Sequence, residues 1–177
     1  EDLHVRIYGS NGASVCSKSI DVDSQGENDR ILSLVISNSA SRIYVAGYSE
    51  SSGTGRGWYV GEFNLTNCNL VSDTVINRGS ADEARSIALD ASGQLVVAGI
   101  TTEHATTPDL WLEVMNTSFA SVCAVRSDLA AASGANAVVV DSLDNIYVGG
   151  YKTATNENLS LRKFSSSCVE DTVNWGK

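Results

Sequence analysis

Apolar and polar residues alternate along this chain in short runs of strand length, and the runs recur with a long period. The clearest run reads Arg42-Ile-Tyr-Val-Ala-Gly-Tyr48, then Gln94-Leu-Val-Val-Ala-Gly-Ile100, then Asn145-Ile-Tyr-Val-Gly-Gly-Tyr151. Its glycine falls at Gly47, Gly99 and Gly150, a period near fifty residues. Period-two alternation predicts strands rather than helices, and a fixed period of this length predicts a repeat architecture. Each repeat is predicted to hold four strands. First strands are expected at 31–36, 84–89 and 137–140, each ending in an Asp- or Asn-led tight turn into the quoted second strand. Third strands align at 2–8, 57–63, 109–115 and 158–164, where one alternating face carries Leu3/Val5, Trp58/Val60, Leu110/Leu112 and Leu159/Leu161. Fourth strands are expected near 17–22, 70–76, 124–127 and 169–175.

Four short antiparallel strands per repeat predict an all-β chain, a β-propeller-like array of four-stranded blades. The expected layout is one repeat domain over 1–177: a half-blade at 2–23 and blades at about 29–78, 82–128 and 135–177. That makes about three and a half blades. Both chain ends supply third and fourth strands, so a ring cannot close simply within the chain. Open edges or faces at the first and last sheets follow, and open edges invite association. Homo-oligomerisation, or the remaining blades of a longer chain, is the expected way of covering them.

The segment Ile87-Ala-Leu-Asp-Ala-Ser-Gly-Gln-Leu-Val-Val-Ala-Gly-Ile-Thr101 and its counterpart Val138-Val-Val-Asp-Ser-Leu-Asp-Asn-Ile-Tyr-Val-Gly-Gly-Tyr151 resemble the SBBP-type bacterial β-propeller repeat. The resemblance implies a secreted or surface protein with no shared enzymatic activity. The chain departs from that repeat at Cys16, Cys68, Cys123 and Cys168, which stand in or beside the third-to-fourth turn where glycine is usual.

Composition narrows the function. The formal charge is −9, which repels polyphosphate and anionic membrane surfaces, so nucleic acid is excluded as a partner. No apolar run of membrane-spanning length occurs, and no membrane insertion is expected. The first residues lack a signal layout, so a leader has been removed or the chain begins inside a longer protein. A surface rich in Ser, Thr, Asn and Gly and poor in lysine suits a secreted or cell-surface β-protein.

The four cysteines are expected to be unpaired thiols, since equivalent positions on adjacent blades should lie beyond the ~7 Å Cα limit of a disulfide. Their spacing contains no CxxC, so no structural zinc site is expected. Asp21-Val-Asp-Ser-Gln-Gly-Glu-Asn-Asp29 partly matches a calcium loop but has Leu32 where the last ligand would stand, and no metal or cofactor is expected there. His4 alternates with Leu3 and Val5 as a solvent-facing strand residue, and His104 lies in a loop with no nucleophile beside it. No catalytic residues are assigned, and the chain is read as not an enzyme.

Binding is expected on the divergent second-to-third loops at 49–56, 101–108 and 152–157, holding a surface protein or glycan. Candidate contacts are Arg56, Trp58, Glu103, His104, Tyr48 and Tyr151. Trp58 has a competing place in the core column of Leu3, Leu110 and Leu159. The rival function is a structural spacer or self-assembly module acting through the open blade edges.

Overall fold

A computed structural model of the chain describes residues 2–22, 27–103, 107–127, 131–153 and 156–172. Every regular element within them is a strand: β1(Leu3–Tyr8), β2(Ser14–Ile20), β3(Asp29–Ser37), β4(Arg42–Ser51), β5(Gly55–Asn64), β6(Leu70–Ile76), β7(Glu83–Leu89), β8(Leu95–Thr101), β9(Asp109–Met115), β10(Ser121–Ser127), β11(Ser133–Val140), β12(Ile146–Thr153) and β13(Glu157–Phe164). The fold is all-β. Sequence neighbours pair antiparallel into a hairpin β1-β2, two four-stranded sheets, β3-β4-β5-β6 and β7-β8-β9-β10, and a three-stranded sheet β11-β12-β13. Of the expected strand at 169–175, a single bridge from Phe164 to Glu170 is present, and 173–177 lie outside the described residues.

The recurrent glycine has a steric cause. Opposite it, each first strand carries a register shift, between Ile31 and Ser33, Ala84 and Ser86, and Ala135 and Ala137. The shift brings a backbone carbonyl over the glycine: a Cβ at Gly47, Gly99 or Gly150 would lie 1.8, 1.9 and 1.9 Å from the carbonyl oxygens of Arg30, Glu83 and Gly134. No side chain fits there, so one bulge demands one glycine per repeat.

The turns repeat as well. Ser41, Gly93 and Asp144 occupy left-handed backbone after the first strands, and each amide returns to the carbonyl of Asn38, Asp90 or Asp141. Cys68, Phe119 and Cys168 do the same after the third strands, with φ of 58°, 60° and 59°.

The sheets bury their faces on one another in chain order. Leu3 and Val5 pack with Ile43, Val45, Tyr59 and Phe63, joining the hairpin to the β3–β6 sheet. Tyr44, Trp58 and Val60 meet Ile87, Leu95 and Val97 across the next interface. Leu110, Leu112 and Val114 meet Val138, Ile146 and Val148 across the last.

The cysteines correct the expectation of free thiols. Cys16 is bonded to Cys68 and Cys123 to Cys168, with Cα separations of 5.7 and 5.9 Å, and no cysteine is free. The four positions are not equivalent. Cys16 and Cys123 lie within fourth strands, opposite Ile7 and Val114, whereas Cys68 and Cys168 occupy the left-handed turn of the following sheet. A turn of one sheet therefore reaches over the fourth strand of the sheet before it, and the distance is that of a contact rather than a repeat translation.

Candidate functional site at the open ends of the sheet stack

The loop residues expected to bind a ligand are mostly committed to the fold. Trp58 is buried, and its indole nitrogen donates to the carbonyl of Ile100 at 2.7 Å. Tyr48 is buried beneath Arg56, whose guanidinium stands 4.4 Å from the ring centroid. Arg56 also donates to Glu83 Oε1 at 2.6 Å, and its backbone bridges the connection to the next sheet through Ser80 and Asp82. Trp58 and Arg56 thereby join neighbouring sheets, while the Arg56 side chain keeps 38% of its surface exposed. Glu103 is exposed, with its amide donating to the Thr101 hydroxyl. Tyr151 is half-buried, directly across from Leu159. His104, like Asp23–Gly26 of the calcium-like segment, lies outside the described residues.

Other polar groups are likewise spent on joining sheets. The buried Asp82 carboxylate accepts from the amides of Arg78, Gly79 and Thr102, pinning the connection between two sheets. Arg78 pairs with the buried Glu113 at 2.7 Å and covers the Trp111 ring at 4.0 Å. Asp141 anchors the turn before β12. The Asn145 side chain, with help from the Asn145 and Leu143 amides and the Tyr147 hydroxyl, lowers its pKa to about 2. Burial raises the Tyr59 hydroxyl well above its ordinary value, and the Asp73 and Asp29 carboxylates add to that shift.

His4 contacts two serines, Nδ1 to Ser19 Oγ at 2.9 Å and Nε2 to Ser17 Oγ at 3.3 Å. Both ring nitrogens are thereby occupied on an exposed strand face, so the imidazole has no nitrogen left for an orienting carboxylate. Among the described residues no group of three or more His, Cys, Asp or Glu side chains could hold a metal ion. No helix is long and apolar enough to cross a membrane, a statement confined to the same residues.

The anomaly lies at the two ends. Strand register makes Trp58, Leu110 and Leu159 equivalent, being the residues opposite Tyr48, Ile100 and Tyr151. Trp58 and Leu110 are each 1% exposed, while Leu159 is 92% exposed. Leu161 and Val139 on the same sheet are exposed too. No side chain crowds Gly149, which faces Leu161, so the centre of this sheet is open. A shallow depression of about 300 Å³ beside it is lined by Asn136, Gly150, Tyr151, Glu157, Asn158 and Leu159. At the other end, Leu34 and its equivalents Ile87 and Val138 share one register position, opposite Val45, Val97 and Val148. Leu34 is 58% exposed against 5% for each of the others. Repetition alone predicts none of this: the same residue type at the same position is core inside the stack and surface at its ends.

The fold defines an all-β repeat chain of successively packed antiparallel sheets, with Leu34 and Leu159 exposed on its first and last faces among the described residues. No protein-family model matches the chain, and no curated protein matches it. Among solved structures it is similar, at 11% identity and a TM-score of 0.38, to a chain described as the extracellular domain of a hybrid two component system from B. thetaiotaomicron. That similarity covers 88% of this chain and 18% of the other, so the present chain spans under a fifth of that structure's length.

Proposed function

We propose that this chain is a non-catalytic assembly module of the cell exterior: a propeller-type run of sheets that acts by taking another sheet onto its terminal face, rather than by holding a ligand in its face loops. The observation that carries the reading is the exposure of Leu159 where Trp58 and Leu110 are buried. Leu159, Leu161 and Val139 form a patch made of positions that the repeat uses for sheet-on-sheet burial, and such patches mark interaction sites. The engagement of Trp58 and Arg56 in joining neighbouring sheets, with Tyr48 buried beneath Arg56, argues against the loop-recognition alternative. Two disulfides suit an oxidising compartment, in keeping with a secreted or surface-displayed protein.

For the isolated chain the sheet on offer is the same face of a second copy. Sedimentation across a concentration series is expected to show the mass rising from one chain toward two. Leu159→Asp combined with Leu161→Asn should hold the chain at one copy without lowering its melting temperature. A mass of one chain throughout, or equal association by the variant, would refute the reading.

A further inference from the structure

The N-terminal end is open in a different way from the C-terminal one. β1 has the register of β5 and β9, each of which is flanked on one side by a fourth strand and on the other by a second strand. β1 has only the fourth-strand partner, β2, and its other edge pairs with nothing among the described strands. Within the stack, first strands lie across the preceding sheet: β7 packs on β3, β4 and β5, and β11 packs on β7, β8 and β9. β3 packs chiefly on β1, the third-strand member of its preceding sheet. Leu34 and Ile36, which would rest on the two absent strands, are 58% and 45% exposed.

A cleft of about 370 Å³ occupies the vacant position, lined by Asp2, Leu3, His4, Asp29, Arg30 and Ile31. Its wall contains an acceptor without a donor. Asp29 is 4% exposed; Oδ2 accepts the Val22 amide at 2.9 Å, while Oδ1 is buried with no hydrogen-bond partner. In the other sheets the equivalent groups accept within the stack, Asp82 Oδ1 from the Thr102 amide that follows β8 of its own sheet and Ser133 Oγ from the Leu110 amide of β9.

Resting on the stacking reading above, we propose that this cleft is a docking site for one antiparallel β-hairpin with the sequence character of the repeat's first and second strands. The second strand of the hairpin pairs with the free edge of β1, which makes the contact a case of strand addition. Its apolar face covers Leu34 and Ile36. The residue after its glycine settles over Arg30, as Ile100 settles over Gly134 and Tyr48 lies beside Glu83 through Arg56. A second complete copy of the chain does not fit this end, because β1-β2 already fills the outer half of the position.

The probe is a synthetic peptide of residues 83–101 of this chain, which carries β7, its turn and β8. Added to the intact chain, it is expected to slow hydrogen exchange of the β1 amides by about tenfold or more. Leu34→Asp should abolish the effect while Leu159→Asp leaves it intact, which separates this site from the C-terminal face. Because an isolated hairpin is only marginally folded, the same segment joined ahead of Glu1 removes the dependence on peptide folding. Unchanged β1 exchange in both experiments overturns the proposal. So does protection confined to the β11-β12-β13 sheet, or protection that survives Leu34→Asp.

Discussion

Removing the Cys16–Cys68 bridge, as Cys16→Ala with Cys68→Ala, tests the connection between fold and stability most directly. The bridge closes a sequence separation of 52 residues. Chain-entropy cost for a loop of that length, 2.1 + 1.5R ln n, corresponds to about 4 kcal/mol at 25 °C. Against a total stability of about 5–15 kcal/mol, such a loss is large. With a urea m-value of about 2 kcal/mol/M, the unfolding midpoint should fall by about 2 M. The effect should also be local, because β1-β2 is a two-stranded sheet and such sheets are marginal alone. Exchange protection in β1 and β2 is therefore expected to disappear well before that of β8 and β9. Opening the Cys123–Cys168 bridge, which spans 45 residues, should cost about as much globally, about 4 kcal/mol, yet spare the N-terminal hairpin. A loss below about 1 kcal/mol would refute the constraint argument, and four thiols titratable in unreduced, denatured protein would refute the pairing itself.

Three further outcomes follow from the repeat register. Ser72 stands opposite Glu62, as Cys16 stands opposite Ile7 and Cys123 opposite Val114, and Phe119 holds the left-handed turn position of Cys68 and Cys168; Ser72→Cys with Phe119→Cys should therefore oxidise to a third inter-sheet disulfide, and two persistent thiols by mass spectrometry after alkylation would count against the equivalence. Gly99→Ala places a methyl 1.9 Å from the Glu83 carbonyl oxygen, so urea melts should show a loss of about 3 kcal/mol, whereas a loss within about 0.5 kcal/mol would mean the bulge can relax. Asp141, at about 2 instead of 3.8, contributes stability above its unfolded pKa that is lost as pH falls through that window; melting temperature should decline between those two values, and Asp141→Asn should decline less steeply, an identical slope being the contrary result.

Sequence and structure divide the account of this protein between them. The glycine period, the alternation and the Asx-led turns are local properties, set by φ/ψ preference and by which face of a strand meets water, so they are legible in the chain itself. All-β architecture follows from them. Trp58 shows the limit: its column in the alignment already pointed to the core, while its place beside a loop suggested a binding platform, and only packing against Ile100 chose the first. The cysteine pairs were hidden because sequence alignment treats a strand position and a turn position as equivalent, and the distance between them depends on how far one sheet's turn overhangs its neighbour. Leu159 and Leu34 were unreadable for the same reason. A residue's type records what a repeat position normally does, but burial belongs to the neighbour that covers it, and among the described residues no sheet covers Leu34 or Leu159. The chain alone therefore determined how each sheet is built, and the tertiary arrangement decided which of its faces are buried.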